Sequence, residues 1–275
     1  MKTYIVDAFT SAAFKGNPAG VCFPERAISD QTMQQVAMEL GLSETAFVWP
    51  TGVEGIYDIR YFSPKKEIPL CGHATLASAK IIFNNTAFSD IHFITATKVD
   101  LPVQKSGDAI IMSFPVYELV PVTVPPALLQ ALGIAAVTNT AYSEKNKIIL
   151  LEIADAAVLA ALSPDFAALL QTHNSINGVL VTAPSNDNQY DFHYRYFWPW
   201  AGTNEDPVTG GVQTFLTKYW SKKLGKTTMK AFQSSARTGE MTVELQEEKV
   251  LLTGQAVIVL EGNWMAVYNE LNRLN

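Results

Sequence analysis

Arg60-Tyr61-Phe62-Ser63-Pro64 returns later in the chain as Arg195-Tyr196-Phe197-Trp198-Pro199, changed only at the fourth position. The first copy leads into Leu70-Cys71-Gly72-His73-Ala74-Thr75-Leu76-Ala77 and the second into Asn204-Glu205-Asp206-Pro207-Val208-Thr209-Gly210-Gly211-Val212. Both continuations read as a short loop opening a central helix rich in small residues. A shared pentapeptide can arise by chance, so the flanks decide. Upstream, Ala27-Ile28-Ser29 and Ala161-Leu162-Ser163 each open a helix behind a serine N-cap. Met33, Val36, Ala37 and Leu40 then take the spacing of a one-sided apolar stripe, and Phe166, Leu169, Leu170 and His173 repeat it. A strand ending in proline follows in each half, Thr45 to Pro50 and Val179 to Pro184, and then the Arg-Tyr-Phe strand.

The chain therefore reads as one unit of strands and two helices, duplicated. The domains are expected at 1–116 and 117–275, with the last residues free to pack back on the first. The second central helix is expected from Pro207 to Trp220, and the closing strands include one at Trp264 to Val267. Strand runs joined by hairpin-sized gaps make the class α+β.

A chain of 275 residues with 48% hydrophobic content can bury two medium cores. Its formal charge of −6 contains no basic stripe that could neutralise phosphates, which argues against a nucleic-acid partner. No apolar run approaches the roughly 18 residues of a membrane span, and Met1 to Phe9 reads as a strand rather than a leader. A cytoplasmic protein is expected. Cys22 and Cys71 are the only cysteines, too few for a disulfide framework and without paired metal-ligand spacing, so no metal is expected.

The chemistry should lie in the two loops before the central helices, which carry Gly72 in one half and Thr209-Gly210-Gly211 in the other. A helix N-terminus offers unpaired N–H groups and a partial positive charge of roughly half a unit, which suits a carboxylate ligand. Glycine and threonine also simply start helices, but their occurrence at matching places of a repeat favours a site. Laid over each other, the halves set Glu44 against Gly178 and Cys71 against Pro207. Racemases and epimerases that use two opposed bases need an acceptor on each side, whereas this overlay leaves one carboxylate. One carboxylate can take a proton from carbon and return it to another carbon on the same face, provided burial against Leu42 and Phe47 raises its pKa. The competing reading makes Glu44 an exposed linker.

His73 and Asp206 are the other ionisable residues of the loops. His73 suits orienting the substrate or holding an enolate, and Asp206 suits pairing with His73 or taking a substrate amine or hydroxyl. Taken alone, a histidine at a helix start is more often a capping or core residue. His92, His173 and His193 read as structural, and Cys71 as a small buried residue. Asp191, His193 and Arg195 alternate as a polar exposed face. Trp198 and Trp200 either shape a pocket for a ring or pack in a core.

Five ordered motifs carry a resemblance over nearly the whole chain: Asp7-Ala8-Phe9-Thr10, Gly16-Asn17-Pro18-Ala19-Gly20, Leu42-Ser43-Glu44-Thr45-Ala46-Phe47, Cys71-Gly72-His73-Ala74-Thr75 and Glu205-Asp206-Pro207-Val208-Thr209-Gly210. The sequence resembles the phenazine-biosynthesis isomerase family. The resemblance implies the diaminopimelate-epimerase-like fold, two pseudosymmetric domains each a strand barrel around a central helix, with the site between them. It implies an isomerase of a small anionic carboxylate substrate, no metal or organic cofactor, and a homodimer. Glu44 takes the family's acid/base position, and His73 and Asp206 its assisting positions. Asn17, Gly72, Thr209, Gly210 and Gly211 are carried as substrate-binding. Gly211 stands where the phenazine enzyme's pattern has serine, which removes a hydroxyl. A two-base epimerase or racemase, or an inactive small-molecule-binding protein, are the alternatives.

Overall fold

Ser29 is extended, at φ −71 and ψ 156, and its hydroxyl accepts the Thr32 N–H, so a helix begins just after it. The same helix ends where Gly41 turns left-handed, with its N–H donating to the Ala37 carbonyl. These two signals bound the first of the helices in the computed structural model, which describes residues 1–173, 175–201 and 203–265.

In chain order the elements begin with β1 (Lys2–Ala8), β2 (Asn17–Phe23), α1 (Asp30–Leu40), β3 (Glu44–Pro50), β4 (Ile56–Phe62), β5 (Glu67–Ile68) and α2 (Gly72–Asn85). Then come β6 (Asp90–Thr95), β7 (Asp100–Ser106) and β8 (Ala109–Pro115). The continuation is β9 (Val120–Pro121), α3 (Pro126–Leu132), β10 (Asn139–Ser143), β11 (Ile148–Glu152), α4 (Ala156–Ala161), α5 (Phe166–Thr172), β12 (Gly178–Pro184) and β13 (Phe192–Trp198). After a 3₁₀ turn at Pro199–Ala201 the chain closes with β14 (Thr203–Glu205), α6 (Gln213–Leu224), β15 (Thr228–Gln233), β16 (Gly239–Gln246), β17 (Lys249–Gly254) and β18 (Ala256–Asn263). The chain divides into two compact units, one of Met1–Ser113 plus the stretch from Thr253 on, the other of Phe114–Leu252.

In the first unit β1 pairs antiparallel with β2, β2 parallel with β3, β3 antiparallel with β4, and β4 parallel with β6. A parallel pair needs a crossover, and a crossover helix must lie on a sheet face. The link from β2 to β3 is α1, and the link from β4 to β6 contains α2. Met33, Val36 and Ala37 of α1 pack with Cys22, Phe47 and Phe62. On α2, nearly every residue from His73 to Phe83 is buried, and its neighbours are β1, β2, β3 and β18. Such burial on all sides requires strands around the helix.

The second unit repeats the scheme. β10 pairs antiparallel with β11, β11 parallel with β12, β12 antiparallel with β13, and β13 parallel with β15. Trp220 of α6 stacks on Phe192 with ring centroids 5.5 Å apart, and its indole N–H donates to Thr182 Oγ1 at 3.0 Å. The outer core gathers Leu128 and Leu132 of α3, Leu159 of α4 and Leu169 of α5 against β11 and β12.

Several local expectations are corrected. The helix expected behind Ser163 is α5, capped instead by Asp165, with His173 beyond its last turn, and α4, capped by Asp155, precedes it unexpected. α6 begins at Gln213, not Pro207. The Gly210-Gly211 pair weakens any helix, and the turn they form spends the Gly210 carbonyl on the Gln213 N–H. The chain from Thr253 belongs to the first unit, as the sequence allowed, because β18 runs antiparallel along β1. The strand expected from Trp264 to Val267 is absent at Trp264 and Met265, and its remainder lies outside the described residues.

Arg195 is not on an exposed face. Its side chain is 9% exposed, holds Glu205 through two bonds of 2.7 Å, and donates to the Leu162 carbonyl at 2.7 Å. It also reaches the Leu159 and Ala160 carbonyls at the end of α4. Its repeat partner Arg60, 24% exposed, holds Glu67 in the same two-pronged way and reaches Asp30. Arg195→Leu should therefore cost about 3–5 kcal/mol, because it strands a half-buried carboxylate and helix-end carbonyls, whereas Arg60→Leu should cost about 1 kcal/mol or less. Urea unfolding of the two variants checks the difference.

Candidate active site

The first unit gathers Asn17, Glu44, Cys71 and His73. Gly16 prepares Asn17: it sits at φ +66, and a Cβ there would stand 2.1 Å from the Ala8 carbonyl oxygen, so only glycine makes this turn into β2. Asp7 braces the same loop by accepting the Phe14 N–H at 2.6 Å. Glu44 is the first residue of β3, paired beside Ala19 of β2, and its side chain is 8% exposed. It is buried and not a surface linker.

His73, in the first turn of α2, is buried too. Burial favours the uncharged ring and pushes its pKa down to about 3. The Asn17 side-chain amide donates to His73 Nδ1 at 3.3 Å. The ring proton is thereby placed on Nε2, which lies 3.3 Å from Glu44 Oε2. Asn17, expected to touch substrate, is thus also the group that sets the tautomer. Cys71 Sγ approaches Nδ1 at 3.4 Å. As N-cap of α2 it makes no side-chain capping bond. Glu44, Cys71 and His73 each bring a donor atom within 4.8 Å of the others, the one such set among the described residues that could hold a metal ion. Within this set His73 touches both of the others, Glu44 through Nε2 and Cys71 through Nδ1.

The second unit gathers Asp206, Thr209 and the Gly210-Gly211 turn. Asp206 is buried, its N–H donates to the Tyr196 carbonyl at 3.1 Å, and its Oδ2 accepts the Thr209 hydroxyl at 2.5 Å. Gln233 at the end of β15 clamps this loop. Its amide donates to the Asp206 carbonyl at 2.6 Å, and its carbonyl accepts the Thr209 N–H at 2.7 Å. Thr209 and Gly210 were expected at a helix N-terminus; they lie instead in the turn ahead of α6, and the Thr209 N–H is already spent on Gln233. A Cβ at Gly211 would meet nothing within 4 Å, so the turn has room for a serine and does without it.

The overlay of the halves survives in the backbone register. Glu44 and Gly178 both open their strands, opposite Ala19 and Ile148 of the parallel neighbours. No carboxylate fits at the second position as it stands, because a Cβ on Gly178 would lie 2.6 Å from the Tyr196 ring. Sequence reasoning missed Gln233, whose distant clamp left no local signal. It also missed the contact of Cys71 with His73, although both belong to one motif. Trp200 belongs to the core, its indole donating to the His173 carbonyl at 2.7 Å, while Trp198 leans on Tyr196 with centroids 5.8 Å apart.

Residues 6–262 match the sequence profile of the family described as phenazine biosynthesis-like protein. An uncharacterized isomerase of Pseudomonas aeruginosa is 41% identical, over 94% of this chain and 96% of its own. The crystal structure of a PhzF-family phenazine biosynthesis protein from Enterococcus faecalis superposes with a TM-score of 0.87 at 36% identity, covering 96% of this chain and 99% of that one. A hydroxyproline epimerase from Agrobacterium vitis shares the fold alone, at 10% identity and a TM-score of 0.57, over 95% of this chain and 91% of its own. The fold is thus diaminopimelate-epimerase-like, and the chain belongs to the phenazine biosynthesis-like protein family.

Proposed function

We propose that the chain is a cofactor-independent isomerase in which the Glu44 carboxylate takes a proton from one carbon of a small carboxylate-bearing substrate and returns it to another. An isomerase role in general follows from the family and its relatives; the proposal adds the base and its partners. The observation that supports it is the buried Glu44 carboxylate 3.3 Å from a neutral His73, set against Gly178 at the matching strand start of the second unit.

A general base works from a fixed position in a dry site. His73 fixes one carboxylate oxygen through its Nε2–H and, being uncharged, does not hold Glu44 permanently ionised as a cation would. Glu44 can then carry the proton between two carbons. The Gly72 turn and the Thr209-Gly210-Gly211 backbone serve as contacts for the substrate's polar groups, and Asp206 assists. Gly178 speaks against a two-base racemase, since the second unit has no carboxylate at that place. The reading carries with it a homodimer in the cytoplasm. Among the described residues no helix is long and apolar enough to cross a membrane.

Three outcomes follow. In a screen of small carboxylates for thermal stabilisation, hits incubated in D₂O should exchange a carbon-bound hydrogen, read by proton NMR; a protein that binds without exchange is a binder and not an isomerase. Glu44→Gln should lower that turnover by at least about 100-fold while leaving binding nearly intact, and parental turnover in this variant removes Glu44 from the mechanism. His73 has a folded pKa below its unfolded value near 6.5, so its contribution to stability is complete above that pH and is lost as pH falls towards 3. Over that window His73→Asn should flatten the pH dependence of the unfolding free energy, read from urea titrations, by up to about 1.4 kcal/mol per pH unit relative to the parent.

A further inference from the structure

Three donor groups that suit a soft divalent ion meet inside the first unit: the Glu44 carboxylate, the Cys71 thiol and the His73 imidazole, each donor atom within 4.8 Å of the others. Cys71 and His73 stand at the start of α2, but Glu44 reaches them from β3, so no spacing in the sequence announces the set. The distances fit a particular ion. In a tetrahedral zinc site, with Zn–N and Zn–O of about 2.0–2.1 Å and Zn–S of about 2.3 Å, nitrogen and oxygen ligands stand roughly 3.3 Å apart, and nitrogen and sulfur roughly 3.6 Å. His73 Nε2 lies 3.3 Å from Glu44 Oε2 and 3.9 Å from Cys71 Sγ. The first edge is already at zinc spacing, and the second needs only a few tenths of an ångström. Charge points the same way: a divalent ion with a thiolate, a carboxylate and a neutral imidazole has no net charge, which a buried place tolerates. Thiolate and imidazole suit zinc, whereas calcium and magnesium ask for about six or more oxygen ligands. Glu44 and His73 are 6% exposed and Cys71 7%, so an ion from solvent can reach the set and a water can take the fourth position.

We propose that Glu44, Cys71 and His73 form an inhibitory site for Zn²⁺, with water as the fourth ligand. On binding, the Cys71 thiol gives its proton to solvent, and the imidazole proton leaves Nε2 while Nδ1 takes one up, so Nε2 offers its lone pair to the metal. Nδ1–H then needs an acceptor. Turning the Asn17 amide over brings its oxygen to the place from which its nitrogen reaches Nδ1 at 3.3 Å. Asn17 thus selects between a ring that donates to Glu44 and a ring that holds the ion. The site binds whether or not the chain is an isomerase. That it inhibits rests on the reading of Glu44 as acid/base, because a carboxylate bound to zinc cannot carry a proton.

The test titrates the full chain, first stripped with EDTA, with Co²⁺, which takes zinc's place and reports its ligands in the absorption spectrum. One equivalent should give a near-ultraviolet thiolate-to-cobalt band and visible bands of tetrahedral strength, and Zn²⁺ should remove both. Cys71→Ser, with its fold checked by circular dichroism, should lose the near-ultraviolet band, and Cys22→Ser should keep it, since Cys22 is buried beside Thr3. Glu44→Gln should weaken Co²⁺ binding yet show the thiolate band at saturation. Asn17→Asp, which gives Nδ1–H a standing acceptor, should tighten Zn²⁺ by about tenfold; affinity no tighter there overturns the role of Asn17. The absence of a near-ultraviolet band at saturating cobalt, or a band that survives Cys71→Ser, overturns the site. With a substrate that exchanges deuterium, Zn²⁺ should stop the exchange and EDTA restore it, and exchange that continues at saturating zinc overturns the inhibition. A chain that shows the band but exchanges no candidate acid would sink the isomerase reading and leave the metal site standing.

Discussion

The helix α2 imposes the constraint on which the first unit is built. Its residues from His73 to Phe83 are buried almost without interruption, so it can exist only if strands surround it and pair their own backbone groups with each other. That requirement brings the starts of β2 and β3 beside the first turn of the helix, and with them Asn17 and Glu44. The candidate-site cluster is thus a by-product of wrapping. Three residues far apart in sequence meet because strand starts and helix start must lie at one end of the same wrapped structure.

Within that cluster, burial decides the charge states. An exposed histidine beside a glutamate would be a half-charged ion pair near neutral pH. His73 is kept uncharged by desolvation, and the Asn17 amide settles which nitrogen bears the proton. The contact between them is then one of a neutral ring with a carboxylate rather than an ion pair.

The second unit shows how a duplicated scaffold loses a functional group without losing its fold. Gly178 and Tyr196 form a linked pair: the glycine makes room for the ring. Meanwhile Gln233, Ser235 and Tyr194 bind the backbone of the Asp206 loop from the strands beneath it, so the loop is rigid although it is not helical.

The sequence by itself determined what depends on local pattern and on comparison of the chain with itself: the duplication, the order of the longer strands and of the two central helices, the α+β class, the motif residues Asn17, Glu44, His73 and Asp206, and the mismatch of Glu44 with Gly178. Tertiary structure decided the rest. It placed Arg195 in the interior, because only the carbonyl end of α4 and Glu205 together make burial of a guanidinium tolerable, and neither is adjacent to it in sequence. It delayed α6 to Gln213, assigned the last strand to the first unit, and set Gln233 under the Asp206 loop. Each of these is a choice of partner across the chain, and pairing between distant segments leaves no periodic trace in the residues that take part.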